Sequence, residues 1–401
     1  MNGLNNLMTQ QMRVNKLQEQ LSSGLKVKSA ADDPISFSQI ESLNQRISTT
    51  ELLQKNCINA QNALNLEESL LSDCMDNLQR LRVIQVQAGD GTLSEAQRKS
   101  LSIEATEILN QLQAFANTKD NDGNYMFAGG QTATEPFTLN AAGQYVYNGD
   151  STQRFQLIGG SLQIAINDPG DSVFMRIPGG NGSFTVNTPS TNTGSVSAST
   201  GSVTNTASYV PDDYSIGFSL NSAGELVVMV SGAVSGSVIP STGLPDDAPL
   251  YQTGMSLSFN GISIELSGIP QPGDSLSIAP EQNVSLFGTI QSLIANLNAP
   301  YNTAADRAKA TTENNQILTQ LDSAMNNISN IISNIGSRLV QVATTIDSNE
   351  DLILASRIAL KPLQEVDPLV AAEDLNIQLV NLQAAQQSFV RIQNLSLFNY
   401  I

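Results

Sequence analysis

The chain has 401 residues, with 19 Lys plus Arg against 37 Asp plus Glu and a formal net charge of -18 at pH 7. That balance argues against a nucleic-acid partner, which needs a basic stripe to displace counterions, and against an anionic membrane surface. There is no His and no Trp; without His, triad hydrolases of the Ser-His or Cys-His type are excluded and the commonest metal ligand is missing.

Other chemistry is equally poorly supplied. Asp32 and Asp33 could be paired on paper with Asp306 or Asp367, but nothing in the sequence places them together and no base or electrophile accompanies them. The glycines between 123 and 273 follow turn spacing and form no phosphate cradle. No catalytic, cofactor-binding or metal-binding residue is therefore expected, and no cofactor. No apolar run approaches the ~18 residues of a membrane span. Met1-Asn2-Gly3-Leu4 lacks the basic region and apolar run of a secretory signal. The protein is thus expected to stay in the cytoplasm or to leave by another route.

Composition divides the chain into an α+β plan, with helical ends and a β-rich middle. Residues 1–33 hold a short amphipathic helix and a linker, with Leu4, Leu7, Val14, Leu17 and Leu21 on one side. Residues 34–118 form the first half of a helical core. Asp33 and Pro34 fit an N-cap and first helical position. From there Ile40, Leu43, Ile47, Thr50, Gln54, Cys57, Gln61, Leu64, Glu68, Leu71, Met75, Leu78, Arg82 and Gln85 keep 3-4 spacing up to Gly89, a candidate C-terminal cap. The polar members either set register or are tolerated defects. Cys57 and Cys74 lie 17 residues apart in this helix, roughly 25 Å, too far for a disulfide. A second helix restarts at a capping-box pattern, Thr92 with Glu95, and places Leu101, Ala105, Ile108, Leu112 and Phe115 on one face.

Residues 119–284 read as β. Strands are expected at 144–147, 154–158, 162–166, 216–220, 226–230, 256–260 and 262–266, with Asn260-Gly261 as a hairpin turn. Residues 180–208 are mostly Ser, Thr, Asn and Gly and read as a flexible segment, with either two β units around it or one combined unit. Residues 285–361 complete the core: Leu318, Leu321, Met325, Ile328, Ile332, Ile335, Leu339, Val342 and Ile346 hold heptad spacing in a helix from about 312 to 360, stopped by Pro362. Residues 362–401 end in a helix bearing Leu375, Leu379, Leu382, Phe389 and Ile392. Two long helices with narrow stripes are best covered by each other, in an antiparallel bundle.

Motifs at both ends give this plan a family. Leu21-Ser-Ser-Gly24, with Ser29-Ala-Ala-Asp-Asp33, resembles a segment near the flagellin N-terminus; Arg82–Gly89 resembles the end of the first long flagellin helix; and Ala384–Phe398 resembles the family's last helix. Asp33-Pro34, Asp122-Gly-Asn-Tyr-Met-Phe-Ala-Gly129 and the ending Leu395–Tyr400 favour the hook-associated protein 3 branch of this flagellin-like family. The family pattern places a further short segment ahead of Gly3-Leu4-Asn5, which bears on export information held near the N-terminus.

The resemblance implies a structural subunit joining the flagellar hook to the flagellin filament, and no enzyme. Its implied partners are copies of itself in a ring, an adjacent hook-associated protein, flagellin and an export chaperone. Its implied location is the extracellular flagellum, reached through the flagellar export apparatus without a cleaved signal peptide. A flagellin-type filament subunit, or a non-flagellar coiled-coil surface adhesin, are the competing readings. Terminal helices in this family are expected to be poorly ordered alone and to fold against neighbours. Leu7, Val14, Leu17, Leu21, Leu379, Leu382, Phe389, Ile392, Leu395 and Phe398 are then the expected subunit contacts, unless the two segments pack on each other within one chain. Ile40, Leu43, Ile47, Leu64, Leu71, Leu78, Leu321, Ile328, Ile335, Leu339, Val342 and Ile346 are the expected core within the chain.

Overall fold

The computed structural model of the protein describes residues 2–90 and 93–398, and the side chains of 4–90 and 93–391. The described helices are α1 (Asn2–Ser23), α2 (Pro34–Ala88), α3 (Glu95–Ala116), α4 (Leu286–Asn298), α5 (Ala304–Gln364) and α6 (Pro368–Phe398), around a β-rich middle. The chain forms two compact units. The first contains residues up to Asn59, Leu157–Gln163 and the chain from Val342 onward; the second contains Ala60–Gln156 and Ile164–Gln341.

Helix starts follow side-chain chemistry. The Asp33 carboxylate accepts the N–H groups of Ile35 and Ser36 at 3.0 and 3.1 Å, so two orphan donors of α2 are satisfied. The capping box of α3 is built from Ser94 and Gln97, two residues beyond the expected start; Thr92 lies outside the described residues. Ser94 is the residue that directly precedes the helical backbone, which is where a hydroxyl can reach the N–H two or three residues on. Gly89 follows α2 without a left-handed φ, so the expected glycine cap is absent. α5 is longer than its heptads suggested. It starts at Ala304 and runs through Pro362 to Gln364, because a proline in the last turn removes one bond where few remain to be lost. The break falls at Asp367, whose carboxylate caps α6 through the N–H of Leu369 at 2.9 Å.

The long helices pair antiparallel in each unit. In the second unit Arg82 bonds Asp322 and Gln85 bonds Asn314; in the first, Glu51 meets Arg357 and Gln54 meets Glu350. Of the expected core, Ile40, Leu64, Leu71, Leu78, Leu321, Ile328, Ile335 and Val342 are buried, and Leu43, Ile47, Leu339 and Ile346 are half-buried. One line on α2 runs as read, through Cys57, Leu64, Leu71, Leu78 and Gln85, all buried. The second buried line differs from the expected one. It is Ala60, Glu67, Cys74, Leu81 and Ala88, whereas Gln54, Gln61, Glu68 and Met75 are half-buried and Arg82 is exposed. The α2 segment of the second unit is covered on this other side as well, where Arg80 bonds Glu104 of α3 and Glu67 holds a loop. Both cysteines are buried free thiols, and burial pushes the Cys74 thiol up to about 12.

The β-rich middle begins with β1 (Phe137–Leu139) and β2 (Tyr145–Tyr147), β3 (Phe155–Leu157) and β4 (Gln163–Ala165), and β5 (Ile177–Pro178). An aromatic cluster binds the start of this region to α4. Phe137, Phe174, Tyr145 and Phe287 lie with ring centroids 4.8–5.8 Å apart, and Phe127 stands edge-on to Phe174 at 5.3 Å, the separations aromatic pairs favour. The Asp122–Gly129 motif supplies Phe127. Its turn is closed by Asp120, which accepts the N–H groups of Asp122 and Asn124, and Gly129, at φ +70°, leaves no room for a Cβ beside Asp150.

Residues 184–280 fold as two sheets around one core. β6 (Phe184–Asn187), β9 (Tyr214–Leu220), β10 (Leu226–Gly232), β11 (Gly236–Ile239) and β14 (Ser275–Pro280) form one sheet in the order β11-β10-β9-β14-β6. In the other, β13 (Ile262–Ser267) pairs with β12 (Met255–Phe259) on one side and with β7 (Ser197–Ala198) and β8 (Ser202–Val203) on the other. A separate pair joins β5 to β15 (Asn283–Val284). Asn260 and Gly261 both have positive φ, 42° and 79°, the geometry of a two-residue hairpin turn. Residues 180–208 are not the expected flexible segment. They supply β6, β7 and β8, and Phe184, Val186, Val196 and Ala198 enter the shared core. Buried Asp274 ties this stretch down by accepting the N–H groups of Thr193 and Gly194 at 2.8 and 2.9 Å.

Glu67 sits fully buried in the second unit, one carboxylate oxygen accepting the Asp168 N–H at 2.8 Å and the other without a partner. Asp168 in turn forms a two-pronged ion pair with Arg338 at 2.9 and 3.0 Å. Burial, then the neighbouring Asp168 charge, pushes the Glu67 carboxyl from its ordinary 4.5 up to about 8. A carboxyl raised on folding contributes its stability fully below the unfolded value, and that contribution is lost as pH rises through the folded value. Between pH 5 and pH 9 the wild type should therefore lose on the order of a few kcal/mol through this group. Urea unfolding of Glu67→Gln at the two pH values should show a smaller drop in midpoint than the wild type; equal drops would remove Glu67 as the cause.

Candidate assembly interface

The two ends of the chain meet in the first unit. Gly24, at φ +71°, ends α1 by donating its N–H to the Gln20 carbonyl, the left-handed cap that glycine permits. The strand-like stretch after it runs beside the connection between α5 and α6. Lys26 donates to the Gln364 carbonyl at 2.7 Å and Val366 donates to the Gly24 carbonyl at 3.0 Å. Asp32 closes the remaining loop by accepting the N–H groups of Lys28 and Ser29. The Lys16 ammonium, a side-chain partner at 3.1 Å, and these backbone donors hold the Asp32 carboxyl below the usual range. The LSSG and SAADD segments thus have a local physical job: they turn the chain from α1 into α2 against the other connector.

From this junction α1 and α6 run antiparallel, with the Gln10 side chain bonded to that of Gln378. The seam between them buries Val14, Ala371 and Leu382 and half-buries Leu7, Leu17, Leu379 and Phe389. All of these but Ala371 are residues expected to contact other subunits, with packing of the two segments on each other as the alternative. In the structure they pack on each other within one chain, because two amphipathic helices joined at one end cover each other before any other surface is needed. Leu21 is the exception and stays exposed. The side chains of Ile392, Leu395 and Phe398 lie outside the described residues.

A second apolar stripe is left over. Leu4, Met8 and Met12 recur every four residues along α1 and are all more than half exposed, at 53%, 60% and 62%. α6 carries Leu369, Val370, Ile377, Val380 and Val390 exposed along its length. Side chains four apart share a helix face, so Leu4, Met8 and Met12 form a continuous apolar edge. Methionine, unbranched and polarizable, suits contact with surfaces of varied shape. Sequence periodicity contains this stripe, since Leu4, Met8 and Met12 stand at i, i+4 and i+8, but it lies next to the stronger Leu7–Leu21 stripe and is masked by it.

Among the described residues no group of three or more His, Cys, Asp or Glu could hold a metal ion, and no described helix is long and apolar enough to cross a membrane. The separation of seam from stripe can be tested on the free chain. Val14→Asp puts a charge into the seam and should unpair α1 from α6, seen as a loss of far-UV helical signal. Met12→Asp should leave that signal unchanged and stability within about 0.5 kcal/mol of wild type. Equal losses from both would mean that the stripe is part of the chain's own core.

Comparison with known proteins places this arrangement in a family. A profile of the bacterial flagellin N-terminal helical region matches residues 1–132. Flagellar hook-associated protein 3 of Escherichia coli is 34% identical over 177 residues, 44% of this chain and 54% of that protein; the chain thus spans about half the length of the curated relatives it matches. Solved structures extend the likeness. Flagellar hook-associated protein 3 from Legionella pneumophila shares 54% identity and a TM-score of 0.78, covering 81% of this chain and 98% of that one. The flagellar junction protein of the same organism shares 55% identity and a TM-score of 0.73, covering 76% and 99%. With identity above one half across nearly the whole of those solved chains, the protein belongs to the flagellar hook-associated protein 3 family.

Proposed function

We propose that the protein is a structural subunit of the bacterial flagellum that joins the hook to the flagellin filament, and that it works without catalysis. The observation that carries this reading is the exposed apolar stripe of the α1/α6 pair. A stripe of this kind on a pair already closed on itself needs a partner outside the chain. Each of its large side chains adds about 1.5–3 kcal/mol when fully buried, so a handful of them supports a stable contact. In this reading the stripe meets an unlike face on a neighbouring copy, and such contacts repeated around an axis close into a ring. Copies of this chain are thus the first partners, with another hook-associated protein on one side of the ring and flagellin on the other.

The same reading gives the location and route. The subunit acts outside the cell on the flagellum and is carried there by the flagellar export apparatus, with an export chaperone covering apolar helix surface on the way. The β-sandwich of residues 184–280 has its own closed core, so it adds bulk to the subunit without being needed to bury the terminal stripe.

Two measurements test the proposal. Immunogold labelling of isolated flagella with antibody to residues 119–284 should give one narrow band between hook and filament. Gold along the whole filament would make the chain a flagellin, and no gold would favour a surface adhesin outside the flagellum. Separately, Met8→Asp with Ile377→Asp should keep the free chain folded but abolish its incorporation into the hook end, read as cells with hooks and no attached filament.

A further inference from the structure

One line of α5 positions, spaced by seven, is buried from end to end: Leu321, Ile328, Ile335, Val342, Asn349 and Ser356 are each 4% exposed or less. The first four are apolar and the last two are polar. In the first unit the α2 segment buries Thr50 and Cys57, with Ile40 its one large buried aliphatic side chain, and hides the Oε1 of half-buried Gln54 without a hydrogen-bond partner. The α2 and α5 segments of this unit are therefore short of apolar cover where they meet. Large apolar side chains are instead exposed on them, including Leu52 and Ile58 on α2 and Leu354 and Ile358 on α5.

A loop fills the deficit. Residues Leu157–Gln163 belong to the same unit, and Ile158 is fully buried. The Asn349 amide donates to the Ile158 carbonyl at 3.2 Å, the Cys57 thiol donates to the same carbonyl at 3.4 Å, and Asn56 donates to the Leu157 carbonyl at 2.9 Å. Donors from both helices thus converge on two successive carbonyls of one tight loop, itself closed by the Ile158 N–H on the Leu162 carbonyl. A buried carbonyl stripped of its donors bears the full cost of desolvation, and a polar residue at a seam position specifies register.

We propose that the loop Leu157–Gln163 is a latch, bolted by Asn349, that keeps the α2 segment before Asn59 and the α5 segment after Val342 paired with each other. With the latch closed, the segments hold one register. With it open, their exposed apolar side chains are free to take other cover. The device is a property of the isolated chain and stands apart from the flagellar reading.

Amide hydrogen exchange of the full-length protein tests it. Asn349→Ala should speed exchange by about tenfold to a hundredfold, the equivalent of about 1–3 kcal/mol of lost satisfaction, in three stretches: 34–57, 157–163 and 344–364. Residues 64–85 and 321–338 should exchange as in wild type. Rates unchanged in the three stretches would overturn the latch, and so would acceleration spread equally over all five. If Asn349→Ala does not fold, Asn56→Ala decides: its milder loss should speed the same three stretches severalfold, and unchanged or uniform rates would overturn the proposal equally.

Discussion

Everything in this molecule depends on residues from the two ends of the sequence finding each other and burying a common stripe. A helix of 55 residues and one of 61 gain little from backbone hydrogen bonds alone in water, since most helix stability in proteins comes from packing an amphipathic face. Here the face is a heptad line on each helix, closed antiparallel by pairs such as Arg82 with Asp322 and Glu51 with Arg357. These surface ion pairs add little energy but mark the register. Contacts between residues more than two hundred positions apart are costly to form in chain entropy, and only continuous apolar burial offsets that cost. The β-rich middle is what the chain places between the two ends; residues 184–280 have a core of their own, while its earlier loops are bonded to the long helices through Glu67, Arg338 and Asn349.

The heptads were legible because their period is the physics of the seam. Leu64, Leu71 and Leu78 on one helix, and Leu321, Ile328 and Ile335 on the other, are buried as their spacing requires. What spacing does not reveal is how many sides of a helix are covered. The line Ala60, Glu67, Cys74, Leu81 and Ala88 contains a carboxyl, and a charged residue type at a core position reads as surface until its partner, the Asp168 N–H, is seen. The stretch 180–208 failed for a related reason. Phe184, Val186, Val196 and Ala198 are too sparse among Ser, Thr and Gly to announce strands, and only pairing with β13 and β14 makes them part of a core.

At the terminal pair the sequence marks apolar positions and leaves open whether neighbouring subunits or the chain itself covers them. Val14 and Leu382 are apolar and buried, but each is hidden by the other helix of the same chain. Periodicity tells that a face must be covered and is silent on what covers it. The residues that stay outward, Met8, Met12 and Val380 among them, form the weaker of two stripes on each helix. Of the two apolar stripes on these helices, one is covered within the chain and the other is left exposed.

The paired connectors at the base of α1 and α6 have a mechanical consequence. Lys26 with Gln364 and Val366 with Gly24 bond the two crossings side by side, and each crossing leads directly into one of the long helices. Tension applied to the terminal pair is therefore divided at this point between α2 and α5. The two helices are loaded in parallel along their common axis, the direction in which many weak contacts must shear at once. Neither is peeled from the other one contact at a time.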